Sequence, residues 1–286
     1  MVNCAGAFLE AAINLIVLFL ISAMAGLLGS LTGLGGGSLM VAFLAAFGVP
    51  IRYAIAASMV SIIATSSGSA MTYVRERIAN VHAAFYLEMF TITGAIVGAT
   101  ITTLIAPRLL YFIFAGVLAT SFFGMRRHMK EELPENVPHS RLADWLRLRG
   151  SYYDQALGRQ VDYRMTRPIW GGAGMFIAGL AAGMLGIGAG AFKVSVHELV
   201  LRMPSKVSST TSNFIIGMTA LAGASVYFAS GLLYVNLAAP MAVGTTIGAM
   251  AGGKILNRFR NKHIRFLFML ILVYLIAQMI YSGIRA

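Results

Sequence analysis

Two glycine clusters are the first places in this sequence where backbone chemistry is available to a ligand. Gly33-Leu34-Gly35-Gly36-Gly37 and Gly186-Ile187-Gly188-Ala189-Gly190 each interrupt a long apolar run, and a short apolar segment follows each one. A glycine-rich turn lets backbone approach a bound group closely. The N-terminal N–H groups of a helix starting there favour an anion. Hydroxyl-rich stretches follow both breaks. Ser38, Ser58 and Ser61 follow the first, and Thr211 and Ser212, with Asn213, follow the second. Hydroxyls and amides donate hydrogen bonds to oxyanions without fixing a charge, although serines in apolar helices also bond their own i−4 carbonyl. Gly33, Gly35, Gly36, Gly37, Gly186, Gly188, Gly190 and these hydroxyl and amide residues are therefore the candidate anion ligands.

Lys193 adds a charge three residues past Gly190. A cation inside an apolar segment is costly and marks a functional position, either drawing an anion or pairing with a carboxylate. Glu88, His197 and Glu198 are candidate proton or ion carriers. Pairing of Glu88 with Arg77 or His82, and a helix pair between Glu198 and Arg202, are equally compatible with their spacing. The five histidines lack metal-ligand spacing, and no nucleophile–base constellation is evident. The expectation is a protein that is not an enzyme and holds no metal or cofactor. The phosphate-loop pattern is absent too, so ATP is not an evident energy source.

The elements that carry these residues follow from the distribution of charge. Of 286 residues, 58% are hydrophobic and 11% charged. The spans 11–51, 53–74, 89–107, 109–125, 168–192, 207–253 and 266–284 carry no charge. A bilayer core needs about 20 apolar residues per helix, with every backbone polar group satisfied internally. These runs predict an all-α polytopic membrane protein and disfavour a soluble enzyme or a β-barrel. The net charge of +12 sits between the runs, as topogenic charge does, so the partners expected are the lipid bilayer and a small anion rather than nucleic acid. A homodimer is left open. Cys4 is the only cysteine, so no intrachain disulfide forms. The first apolar run lacks a preceding basic residue and reads as a retained helix.

The segment between Arg126 and Arg167 is polar and divides the chain into repeats 1–125 and 168–286. Ser140 could cap a short helix ended by Gly150, with Leu142, Trp145 and Leu146 on one face. That pattern suits an interfacial helix or a solvated linker equally. The two halves share an order. The glycine breaks lie 153 positions apart, and past a one-residue shift Pro50 pairs with Pro204, Ser58 with Ser212, Tyr73 with Tyr227, and Gly94 and Gly98 with Gly248 and Gly252. The GxxxG glycines read as helix-packing positions. Each half predicts a helix, a glycine-broken or re-entrant short helix and three full helices: 11–32, 38–48, 52–74, 83–105 and 108–124, then 168–185, 191–201, 205–228, 235–253 and 264–283. With the linker cytoplasmic, only Arg52, Arg108, Lys193 and Arg285 of the 22 basic residues fall outside cytoplasmic loops. Both termini then lie outside, and the repeats are inverted, an architecture of secondary transporters that work by alternating access.

The stretches GLGGGSLMV with GVPIRYAIAASM, and GIGAGAFKV with MPSKVSSTTSNFIIGMTA, resemble the TauE/SafE family of membrane anion exporters across both hydrophobic halves. The second pair resembles the branch with a lysine after the glycines and a TSNF-like sequence. Ala42 and Ser195 stand where a proline often follows the glycines, Ala189 interrupts the second triple glycine, and Ala57 replaces a threonine before Ser58. The resemblance implies export of sulfite, a related sulfur-containing oxyanion or an organosulfonate, coupled to ion gradients. A passive anion channel or an importer of a related organic anion is the alternative.

Overall fold

The computed structural model describes residues 15–32, 36–75, 80–127, 140–154, 159–188, 190–256 and 261–285. The first half comprises α1 (Leu15–Thr32), the short α2 (Gly37–Ala46), α3 (Ile51–Arg75), α4 (Val81–Leu104) and α5 (Pro107–Arg127). The second comprises α7 (Pro168–Leu185), the short α8 (Gly190–Ser195), which continues as a π-helical turn over Val196–Val200, then α9 (Ser205–Ala229), α10 (Val235–Leu256) and α11 (Asn261–Arg285). By length and composition, Val81–Leu104, Pro168–Leu185 and Thr210–Ala229 are long and apolar enough to cross a membrane, with shorter apolar helices among the rest. Their outward faces carry large apolar side chains such as Met89, Leu104, Ile177, Leu221 and Phe228. Glu88, Lys193, His197 and many hydroxyls are buried instead, so polarity is concentrated inside.

The packing recurs when the halves are exchanged. α1 lies on α10, as α7 lies on α4; α3 touches α10, as α9 touches α4; α5 packs on α11; and α3 packs on α9. Glycines permit the two closest crossings. A Cβ at Gly94 or Gly98 would run into the carbonyls of Phe176 and Leu180, and one at Gly179 or Gly183 into those of Thr91 and Ala95. Gly26 and Gly248 meet the Thr245 and Ala23 carbonyls in the equivalent crossing. Replacing Gly98 by Leu should therefore separate α4 from α7 and lower stability by about 1–3 kcal/mol. Gly116→Leu, where a Cβ meets nothing within 4 Å, should leave the thermal midpoint in detergent almost unchanged.

The linker departs from the expected helix ending at Gly150, and from an all-α chain. After Ser140, α6 covers only Arg141–Trp145, and Arg147 takes a left-handed conformation (φ 52°). An antiparallel hairpin of β1 (Arg149–Asp154) and β2 (Arg159–Arg164) follows, with Gly150 opposite Tyr163 and Tyr152 opposite Val161. Alternation puts Tyr152 and Tyr163 on the buried face, a period of two rather than 3.6. Gly150 is where the strands need no side chain: a Cβ there would lie 2.7 Å from the Tyr163 hydroxyl. Trp145 is 79% exposed and Leu142 is also exposed, while Ala143 and Leu148 join Tyr152, Tyr163, Leu201, Met203 and Val207 in a second core. That core anchors the hairpin beneath α4, α9 and the end of the π turn.

Candidate functional site

The second break begins where α7 ends. Gly186 and Gly188 are both left-handed (φ 66° and 67°). A helix end buried here needs donors for its last carbonyls. Three distant side chains supply them. The Tyr227 hydroxyl donates to Gly183 O at 2.6 Å, Thr102 Oγ1 to Met184 O at 3.0 Å, and Ser58 Oγ to Gly186 O at 2.9 Å. The first break meets this end directly. Gly36 is left-handed (φ 71°), α2 starts at Gly37, and a Cβ on Gly37 would lie 2.6 Å from Gly186 O. The two breaks thus touch. Gly33 and Gly35, like Ala189, lie outside the described residues.

Most of the predicted hydroxyl ligands are occupied by backbone. Ile55 O also lies within reach of the Ser58 hydroxyl, at 2.7 Å, so its one proton is shared between two carbonyls, and Ser61 lies 3.5 Å from Ala57 O. Ser212 lies 3.5 Å from the carbonyl of Gly190. Thr211 Oγ1 accepts the Asn80 N–H at 3.2 Å, and the Asn213 carbonyl accepts Ser66 Oγ at 3.0 Å. Ser38 is buried on α2. Asn80 also caps α4, accepting the Ala83 N–H on Oδ1 at 3.0 Å, and its amide donates to Arg149 O at 3.2 Å and the Tyr163 hydroxyl at 3.0 Å. Burial pushes the Tyr163 phenol above its ordinary range, which keeps it neutral in that role. One asparagine therefore ties the linker hairpin to α4 and α9.

One turn past the second break, three elements bring a charged group together. Lys193 on α8 is 0% exposed, and its Nζ donates to Thr219 Oγ1 on α9. Thr219 Oγ1 donates to Glu88 Oε1 on α4 at 2.6 Å, and Nζ lies 3.6 Å from Glu88 Oε2. Glu88 is 2% exposed, and its Oε2 has no hydrogen-bond partner among the described residues. Among the described residues the partner of Glu88 is Lys193, and His82 is exposed; Arg77 lies outside them. His197 is one turn further along, fully buried on the π turn. Its Nδ1 lies 3.4 Å from Ser208 O, while Nε2 has no partner among the described residues. Glu198 is half-buried, and Arg202 is exposed with φ 57°.

Thr219 escapes a reading of the sequence alone. Its one signal is position: it follows Thr211 by eight residues and Ser212 by seven, which is two turns along the same face. The resulting cluster neutralises a buried cation, and among the described residues it leaves one carboxylate oxygen without a hydrogen bond beside that cation and one imidazole nitrogen without a partner a turn along the chain. Such groups are stable in an apolar interior only while paired, and each becomes available to a ligand when the pairing changes.

The family described as "Sulfite exporter TauE/SafE" matches residues 18–279, through both helical halves and the hairpin between them. The chain belongs to the TauE/SafE family. It is therefore a membrane transporter, and its helices are those of a membrane protein. It is 25% identical over 279 residues to the protein of Bacillus subtilis (strain 168) named "Probable membrane transporter protein YunE", covering 95% of this chain and 99% of that one. It is 26% identical over 246 residues to "Probable membrane transporter protein YdhB" of the same organism, covering 85% of this chain and 89% of that one. No solved structure matches this TauE/SafE chain.

Proposed function

We propose that this transporter exports a small sulfur-containing oxyanion or organosulfonate, sulfite being the model substrate, across the cytoplasmic membrane by alternating access. The observation that carries the reading is Lys193: a fully buried ammonium, one turn past a glycine break, held among the described residues by a hydroxyl and a carboxylate. An intramembrane cation of this kind draws an oxyanion far more strongly than a surface lysine, because little solvent competes. The glycine breaks serve as hinges, and the helix starts beside them add partial positive charge. Glu88 and His197 are the groups available for ion coupling.

Export needs two faces that open in turn. The recurrence of every major helix contact on exchange of the halves supports two inverted repeats rocking about the α3–α9 contact. In this reading the linker is cytoplasmic and both termini are external. The experiment is counterflow of radiolabelled sulfite in proteoliposomes. An excess of unlabelled sulfite inside should accelerate entry of label several-fold and produce a transient overshoot. Entry of label that ignores the sulfite inside would make the protein a channel.

A further inference from the structure

Lys193 is already neutralised, and what neutralises it dictates how an anion gains access. The ammonium has two partners among the described residues, Thr219 Oγ1 and Glu88. Glu88 in turn receives one hydrogen bond from Thr219 and leaves Oε2 facing the ammonium at 3.6 Å. An oxyanion that approaches Nζ competes for the position of this carboxylate.

We infer that the anion and a proton occupy this site together, the proton on Glu88 and the anion on Lys193, so that both cross the membrane in the same direction. This inference rests on the function proposed above and specifies its coupling: each exported anion carries a proton out with it, so export runs down the anion's own outward gradient and against an inward proton gradient. Loading breaks the Lys193–Glu88 ion pair. A proton from hydronium, which is left as water, forms the O–H bond on the Glu88 carboxylate, and the oxyanion takes the vacated place beside Nζ. The site carries no net charge before (ammonium and carboxylate) or after (ammonium, carboxylic acid and monoanion). The two half-loaded states do carry one. An anion beside an ionised Glu88 leaves one net negative charge, and a protonated Glu88 without an anion leaves one net positive charge. A lone charge in an apolar interior is strongly disfavoured. Half-loaded sites are therefore scarce, and scarcity of half-loaded states is what coupling requires.

Among the described residues of α4, α7, α8 and α9, few other charges stand near this pair. α7, packed against α4, has no titratable side chain from Pro168 to Leu185. α9 contributes the Thr219 hydroxyl. Its Tyr227 lies two turns further on, committed to Gly183 O, and its Lys206 is more than three turns away. On α4 itself, His82 is exposed and Tyr86 donates to Pro168 O at 3.2 Å. α8 and its π turn bring Lys193, His197 and the half-buried Glu198. His197, with Nε2 free one turn from Lys193, is the other group able to receive the proton. Thr219 can follow either state, since a hydroxyl both accepts and donates and rotates to suit its partners.

The test is uptake of radiolabelled sulfite into proteoliposomes with the membrane potential clamped and a pH gradient imposed, with protein-free vesicles subtracted. At mildly acidic pH, where the monoanion predominates, an acidic exterior should drive accumulation, and one pH unit supports about a tenfold ratio. Accumulation driven by an alkaline exterior, or indifference to the gradient in a wild type that shows counterflow, would overturn the inference and leave the proposed function standing. Glu88→Gln should bind sulfite with no pH dependence beyond the substrate's own titration, which is common to both proteins, and should lose gradient-driven accumulation. Retention of that accumulation assigns the proton elsewhere and overturns the role of Glu88. Wild-type protein without sulfite counterflow would overturn the functional reading itself, and this inference with it.

Discussion

Replacing Lys193 by Met should abolish sulfite transport, reducing counterflow at least about a hundredfold, the scale expected when a desolvated charge partner worth about 3 kcal/mol or more is removed. Methionine keeps the length and apolar stem of lysine, so the change falls mainly on the ammonium. It also strands Glu88, whose Oε1 keeps the Thr219 bond while Oε2 loses the only cation near it among the described residues. Breaking a buried pair from one side typically costs about 3–5 kcal/mol, less whatever Glu88 recovers by taking a proton. The single variant should therefore melt earlier in detergent. The double variant Lys193→Met/Glu88→Gln separates the two effects. The neutral amide that Glu88→Gln introduces no longer needs a cation, so the thermal midpoint should recover substantially, while transport stays absent. If the double variant transports sulfite, Lys193 is a structural counter-ion and the anion binds elsewhere.

Gly186→Val should be the second severe loss. Gly186 combines three demands: φ of 66°, a Cβ position occupied by the Ser58 hydroxyl, and 2.9 Å from that position to Ile55 O. A residue with a Cβ loses about 1–2 kcal/mol in the left-handed region, and a β-branched one loses more. Displacing Ser58 removes the donor for Gly186 O and opens the contact between the two breaks. Transport should be lost and the thermal midpoint lowered. Gly48→Ala is the matched control. It has φ of 83° but nothing within 4 Å of its Cβ, so it should show the backbone cost without the lost contact and keep transport. Equal effects at both positions would mean that backbone strain alone explains Gly186.

How much of this is legible in the sequence depends on the range of the physics involved. Charge-free runs locate the helices because the cost of a charge in lipid is local and can be read residue by residue; α7 begins and ends where its run predicts, at Pro168 and Leu185. The GxxxG glycines announce close crossings, and Gly94 and Gly98 lie against the carbonyls of α7. Lys193 stands out for the same reason the helices do. Its partner does not, because Glu88 lies 105 residues away and the pairing depends on how α4, α8 and α9 meet. Thr219 is hidden among many hydroxyls, most of which bond their own helix; nothing local separates a bridging threonine from a back-bonding one. The hairpin is illegible for another reason. Ser140 and the spacing of Leu142, Trp145 and Leu146 carry a real helix signal, but Arg147 turns left-handed and Tyr152 and Tyr163 are then buried by a period-two pattern. The halt at Arg147 depends on the core formed with Leu201, Met203 and Val207, which no linker sequence contains.

The hydroxyl ligands show a related effect. Ser58 and Ser212 are repeat mates, and both lie against carbonyls of the second break, Ser58 at Gly186 and Ser212 at Gly190. A donor that satisfies a broken helix and a donor that greets an anion have the same residue type and spacing. Only the three-dimensional partner tells them apart.

The most direct measurement of the central claim is a structure determined with sulfite bound. An anion within hydrogen-bonding distance of Lys193 Nζ, with the Glu88 carboxylate moved off the ammonium, is the predicted result. An anion bound elsewhere, with the Lys193–Thr219–Glu88 contacts intact, would contradict it.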